Sequence, residues 1–133
     1  MPTTPAFSHL ARRALTVLLI AFGAQMTAHA GQVDQGRDMF KQCVACHSTT
    51  PGETRFGPSL AGIVGRPAGR LKGYEFSDEL HAVKFKWDAA HLQQWLEDEP
   101  KNMVPGTRME FPGISNPADL KALIAYLETL KAK

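Results

Sequence analysis

The chain has 133 residues, with 15 Lys and Arg against 13 Asp and Glu and a formal net charge of +2. That length suits one small domain, and a balance so close to neutral excludes the basic surface of a nucleic-acid binder. Two cysteines are too few for a disulfide-built scaffold.

The amino terminus reads as an export signal. Arg12 and Arg13 form a positive start, Leu15 to Ala24 a short apolar run, and Ala28-His29-Ala30 a small-residue cleavage site before Gly31. The run is shorter than the roughly 20 apolar residues a membrane span needs, so no stable membrane anchor is expected. On this reading residues 1–30 are a secretory signal peptide, residues 31–133 are the mature domain, and the protein is periplasmic. Arg12 and Arg13 are the only charged residues in the leader, so the mature chain carries equal numbers of acidic and basic side chains.

The mature chain is predicted to be all-α, with helices joined by Gly/Pro-rich loops and only weak strand signals. A first helix is expected over Asp34 to Ala45, with Met39 and Phe40 on one side. Residues 57–73 are rich in glycine, are interrupted by Pro58 and Pro67, and read as loop. Ser77 is placed to cap a short helix over Asp78 to Ala82, and Asp88 to cap one from Ala89 to about Glu97. Pro100 to Gly113 reads as loop, broken by Pro105-Gly106 and Pro112-Gly113. Asn116 as N-cap, Pro117 in the first helical position and Asp119 near the positive end predict a last helix. Leu120, Leu123, Ile124, Leu127 and Leu130 give it an apolar stripe. The long glycine-rich loop suits a chain that wraps a flat group better than one with a self-sufficient core.

Cys43-Val44-Ala45-Cys46-His47 carries the chemistry. Two thiols three residues apart followed by an imidazole form the attachment sequence for a c-type haem. Residues i and i+3 share a face on a helical turn, so both sulfurs reach one porphyrin edge and His47 lies beside the ring. A thioredoxin-like disulfide expects a βαβ pattern that is not seen. A structural zinc site needs four ligands, and no second Cys or His pair follows. A plain structural disulfide has no use for His47. A His-bound haem also takes a second axial ligand or leaves that position open. Met109, in the stiff segment Pro105-Gly106-Thr107-Arg108-Met109, is one candidate. Met103 in the same loop competes with it, and a loop methionine touching core is the plain alternative. His81 and His91 read as surface or helix-face histidines.

Several segments together resemble the class I cytochromes c, the mitochondrial c and bacterial c2-like proteins. Gly36 and Phe40 precede the Cys43–His47 motif. Gly57-Pro58-Ser59-Leu60 and Gly65-Arg66 follow it, then Gly73 to Ser77 and Trp87-Asp88. Pro100 to Met109 is similar to the family's Met-ligand loop and Asp119 to Leu127 to its last helix. The resemblance covers nearly all of residues 31–133 and implies a single small cytochrome c domain around one covalent haem c. It implies that Cys43 and Cys46 hold the haem as thioethers, with His47 the proximal and Met109 the distal iron ligand. It puts Pro58 against the His47 ring with a nearby carbonyl taking the imidazole N–H, Arg66 and the Trp87 indole by a buried propionate, and Thr107 on the Met side. Gly36 is expected to let the first helix approach the last near Leu123 and Tyr126.

The chain departs from the family at four places. Phe76 stands where many relatives have a tyrosine, and Leu80 where mitochondrial proteins have an asparagine. One extra residue lies between Leu92 and Pro100, and Trp95 replaces the tyrosine that bonds toward the Met sulfur. The mature charge is also near zero where mitochondrial relatives are strongly basic. Lys41, Arg55, Lys72, Lys101 and Arg108 are candidates to ring an exposed haem edge, with ordinary solvated charges as the alternative.

The function expected is a periplasmic one-electron carrier, monomeric and not an enzyme. Its partners are redox proteins: a dehydrogenase or quinol-oxidising complex as donor, an oxidase or reductase as acceptor. The alternatives are a haem peroxidase or gas-binding protein with a labile Met109, and the cytochrome subunit of a periplasmic dehydrogenase.

Overall fold

The structure is a computed structural model, and the residues it describes are 29–133. Almost all of the expected export signal lies outside them. By contact density the chain divides into Met1–Gly31 and Gln32–Lys133. The fold belongs to the second unit.

Helix α1 covers residues 29–39. It tightens into a 3-10 turn at Phe40–Gln42 and then leaves regular helix. The expected helix over Asp34 to Ala45 is therefore shifted toward the amino terminus. The ladder changes register there: Cys43 N–H donates to the Phe40 carbonyl at 2.8 Å, three residues back rather than the four of an α-helix. Beyond it the Val44 carbonyl accepts from the Arg55 guanidinium at 2.8 Å and the Cys46 carbonyl from Gly57 N–H at 2.8 Å. What survives is one isolated turn, in which the Cys43 carbonyl accepts from both Cys46 N–H (3.1 Å) and His47 N–H (2.9 Å).

The capped helices form where the sequence places them. Helix α2 is Asp78–Ala82, with Ser77 Oγ accepting from Leu80 N–H. Helix α3 is Ala89–Leu96, started by the Asp88 carboxylate, which accepts from His91 N–H at 2.8 Å. The segment expected to be loop from Pro100 contains a helical turn, α4, over Pro100–Met103. Proline reads as a breaker in mid-helix but is favourable in the first helical position, where its missing N–H has no partner to lose. Helix α5 is Pro117–Thr129, with Asn116 Oδ1 accepting from Ala118 N–H at 2.9 Å.

Helix α5 is the centre of the core. Leu120, Leu123, Ile124 and Leu127 are buried along it, and Leu123 is 1% exposed. Burying such a side chain is worth about 1.5–3 kcal/mol. Helix α1 crosses α5 at Gly36, where a Cβ would strike the Ala122 carbonyl and come within 2.8 Å of Tyr126 Cβ. The expected close approach is present, with Ala122 rather than Leu123 as the touching residue. Phe40 packs on Tyr126 with ring centroids 5.2 Å apart, and Gln35 Nε2 donates to Asp119 at 2.8 Å. Helix α3 packs on α5 through Leu92, Trp95 and Leu96.

Among the described residues there is no named strand, but one short antiparallel pairing matters for the site. Pro67 bridges to Lys86, Ala68 N–H donates to the Phe85 carbonyl at 3.0 Å, and Trp87 N–H donates to the Arg66 carbonyl at 2.9 Å. These bonds pin the glycine-rich loop to the segment before α3 and so fix Arg66 beside Trp87.

Candidate functional site

A cleft of about 590 Å³ opens between the loops and the face of α3 and α5. That volume is within the range of about 300–1,000 Å³ common for small-molecule and cofactor sites. Its lining includes Cys43, Cys46, His47 and Pro58 on one wall. Arg66, Trp87, Thr107 and Met109 also line it, and most of the rest is apolar. All eight residues singled out from the sequence thus meet in one place.

The His47 wall is built by main chain. His47 Nδ1–H donates to the Pro58 carbonyl at 2.8 Å, so it is the carbonyl of Pro58 itself that orients the ring. Burial lowers the His47 pKa, the Pro58 hydrogen bond opposes that shift, and the Arg66 charge adds to it. The ring is therefore neutral at neutral pH, with Nδ1 occupied and the Nε2 lone pair available to a ligand. Gly57 lies flat against this ring: a Cβ there would stand 2.5 Å from His47 Cε1 and 2.8 Å from Nδ1. Gly57 is a site residue that the sequence marked only as part of a Gly-Pro turn.

Both cysteines are free thiols, Cys43 partly buried and Cys46 exposed. Burial, and then the neighbouring Cys46, push the Cys43 thiol up to about 11. It is protonated at neutral pH in this fold and is a poor nucleophile there.

The opposite wall is built by side chains. Trp95, 6% exposed, donates its indole N–H to the Met109 sulfur at 3.2 Å. That contact fixes the direction of the thioether, the role the family resemblance had given to Trp95. Trp95 is held in turn edge-on by Trp87, with centroids 5.1 Å apart. Met109 lies on the cleft; the competing Met103 ends helix α4 and is absent from the lining. His91 is bonded to Asp88 at 2.8 Å and His81 accepts from Arg70 at 2.8 Å, so both histidines are engaged outside the cleft. Arg66 directs its guanidinium to the Ser59 carbonyl at 3.0 Å and the Ala61 carbonyl at 3.5 Å. Burial lowers its pKa.

Among the described residues no group of three His, Cys, Asp or Glu is placed to hold a metal ion. No described helix is long and apolar enough to cross a membrane.

An apolar slot edged by two thiols, with a neutral imidazole on one wall and a thioether on the other, has the donors a covalently held haem requires. The scaffold and slot together define a haem-carrying all-α domain. The profile of the Cytochrome c family matches residues 33–131. Cytochrome c2 iso-2 of Magnetospirillum molischianum is 48% identical over 92 residues, which are 69% of this chain and 94% of that protein. Cytochrome c2 of Rhodoblastus acidophilus is 40% identical over 104 residues, 77% of this chain and 96% of that one. The solved structure of cytochrome cH from Methylobacterium extorquens superposes with a TM-score of 0.68 at 47% identity, covering 73% of this chain and 97% of that chain. The chain belongs to the class I cytochrome c family. It is a small c-type cytochrome, an electron carrier with haem c as its cofactor.

Proposed function

We propose that Cys43 and Cys46 bind the haem as thioethers, that His47 and Met109 are its axial ligands, and that the protein is a periplasmic one-electron carrier exported by residues 1–30. Haem c supplies an iron that passes between ferrous and ferric states. The chain's residues set the conditions for that exchange. Burial keeps the His47 imidazole neutral, and the Pro58 carbonyl holds it in one orientation. Trp95 aims the Met109 sulfur into the cleft and uses an indole N–H that stays protonated across the physiological range. The apolar lining keeps water from the group, and Arg66 and Trp87 stand ready for a propionate. With His47 and Met109 both holding the iron, no position on it would be left for a substrate, so the site would move electrons and make no bonds. The peroxidase and gas-binding alternatives would each need a Met109 that leaves easily, and the Trp95 hydrogen bond to its sulfur works against that.

The observation that carries this reading is the single cleft in which His47, tied to Pro58, faces the same space as Met109, tied to Trp95. The test is the far-red optical spectrum of the oxidised holoprotein, where sulfur-to-ferric-iron charge transfer absorbs. A band is expected there that disappears in Met109→Ala, together with a lower reduction potential and new binding of carbon monoxide by the reduced protein. A band that persists in Met109→Ala removes Met109 as the ligand.

A further inference from the structure

Phe56 is the most exposed large apolar side chain among the described residues: 88% of it is open to solvent, and Val44 is 44% open. Phe56 also lines the cleft, so the ring stands at its mouth. Leaving an aromatic side chain in water forgoes about 1.5–3 kcal/mol of burial, which calls for a reason. The segment that carries it is firmly held. Tyr74 O–H donates to the Phe56 carbonyl at 2.9 Å, Gly57 N–H to the Cys46 carbonyl at 2.8 Å, and the Arg55 guanidinium to the Val44 carbonyl at 2.8 Å. These bonds lay residues 55–57 along the Cys43–His47 motif. The ring is displayed from a fixed backbone, beside the exposed Cys46, where little further ordering is needed on binding. Aromatic side chains are enriched at the centres of protein interfaces.

The charges nearby are largely balanced. Of the five cations that are candidates to ring the mouth, Lys41 is paired with Asp38 at 2.7 Å, Arg55 with Glu53 at 3.0 Å, and Lys101 with Glu99, while Lys72 is exposed with no carboxylate partner among the described residues. Arg108 turns its guanidinium to the carbonyls of Glu75 and Phe76 at 3.4 and 3.5 Å. Residues 31–133 carry equal numbers of acidic and basic side chains. Exposed pairs of this kind add little stability, but they cancel the local field that would steer an oppositely charged partner.

We infer that the mouth around Phe56 and Val44 is the docking surface, and that it fits a redox protein whose face around its own cofactor is apolar and uncharged. This rests on the electron-carrier reading. Docking then depends on contact area and hardly on salt, whereas charge-steered encounters slow steeply as ions screen them.

A second copy of the chain is itself a redox protein with such a face, so electron self-exchange is the probe. One electron passes from the reduced to the oxidised holoprotein, no bond forms or breaks, and the products equal the reactants. The rate is read from NMR line broadening in mixtures of the two. For the native protein it should change less than about twofold between low salt and about 0.5 M salt. Phe56→Ser should slow it about tenfold, with the reduction potential and far-red band unchanged. Glu53→Gln, which frees the Arg55 charge, should leave the band in place and make the rate salt-dependent. Unchanged exchange in Phe56→Ser overturns the inference. So does a native rate that varies strongly with salt. A potential that moves with the rate also overturns it, because Phe56 would then be a cover for the cofactor. A holoprotein that does not cycle reversibly between two oxidation states at all sinks the carrier reading and this one with it.

Discussion

The two walls of the cleft are held by different kinds of bond. On the His47 side the main chain does the holding: the Pro58 carbonyl on the ring, Gly57 N–H on Cys46, and Leu60 N–H on the Ser48 carbonyl at 2.9 Å. On the Met109 side one side-chain contact, Trp95 to sulfur, fixes the ligand's direction. Main-chain bonds survive the replacement of side chains. The His47 wall is therefore vulnerable to added atoms, and the Met109 wall to removed ones.

The largest effect is expected from Gly57→Ala. Its new methyl group would overlap the His47 ring, which can shift only by giving up its hydrogen bond to Pro58. Overpacking of this kind costs about 1–3 kcal/mol. The holoprotein should be less stable to guanidinium, and its optical spectrum should lose the low-spin pattern. A normal spectrum and an unchanged midpoint would show that the wall gives way easily. Next comes Trp95→Phe, which deletes the donor to Met109. A hydrogen bond is worth about 1 kcal/mol net, so imidazole should displace Met109 roughly fivefold more readily. The far-red band should shift while the His47 side stays as it was. Equal displacement in both proteins would mean that the indole does not hold the sulfur. The smallest effect on the cofactor site belongs to Ser59→Ala. Ser59 is 1% exposed and donates to the Thr50 carbonyl at 2.7 Å, a side-chain bond on the main-chain wall. Its loss should lower stability by about 1 kcal/mol and leave band and potential in place. A moved potential would show that side chains govern this wall too.

What the sequence revealed, and what it hid, follows from the range of the forces involved. Ser77, Asp88 and Asn116 announced their helices because a cap acts on N–H groups two or three residues away. The Cys43–His47 spacing was equally local. Helix α4 was hidden because Pro100 is a breaker in one position and a starter in the next, and the choice depends on Asp98 and Glu99 preceding it. Asp98 accepts from the Asn102 side chain at 2.8 Å. The irregular path after α1 could not be read from residues 34–45, since Arg55 and Gly57 bind the Val44 and Cys46 carbonyls from farther along the chain. The Trp95–Met109 contact was legible only through family resemblance, because fourteen residues of loop and helix separate the pair. The pairing of three rim cations had no local signature at all. Lys41 and Arg55 look like free cations until Asp38 and Glu53 are seen at their tips.

The close crossing at Gly36 and Ala122 bears on the order in which the molecule assembles. The two residues lie near opposite ends of the second unit, so their contact closes almost its whole length into one loop. Long-range closures of this kind slow folding, because chain entropy is lost before the contact returns anything. Until α5 is in place against α1 the frame cannot shut, and Cys43, half-buried in the finished fold, stays open to its surroundings.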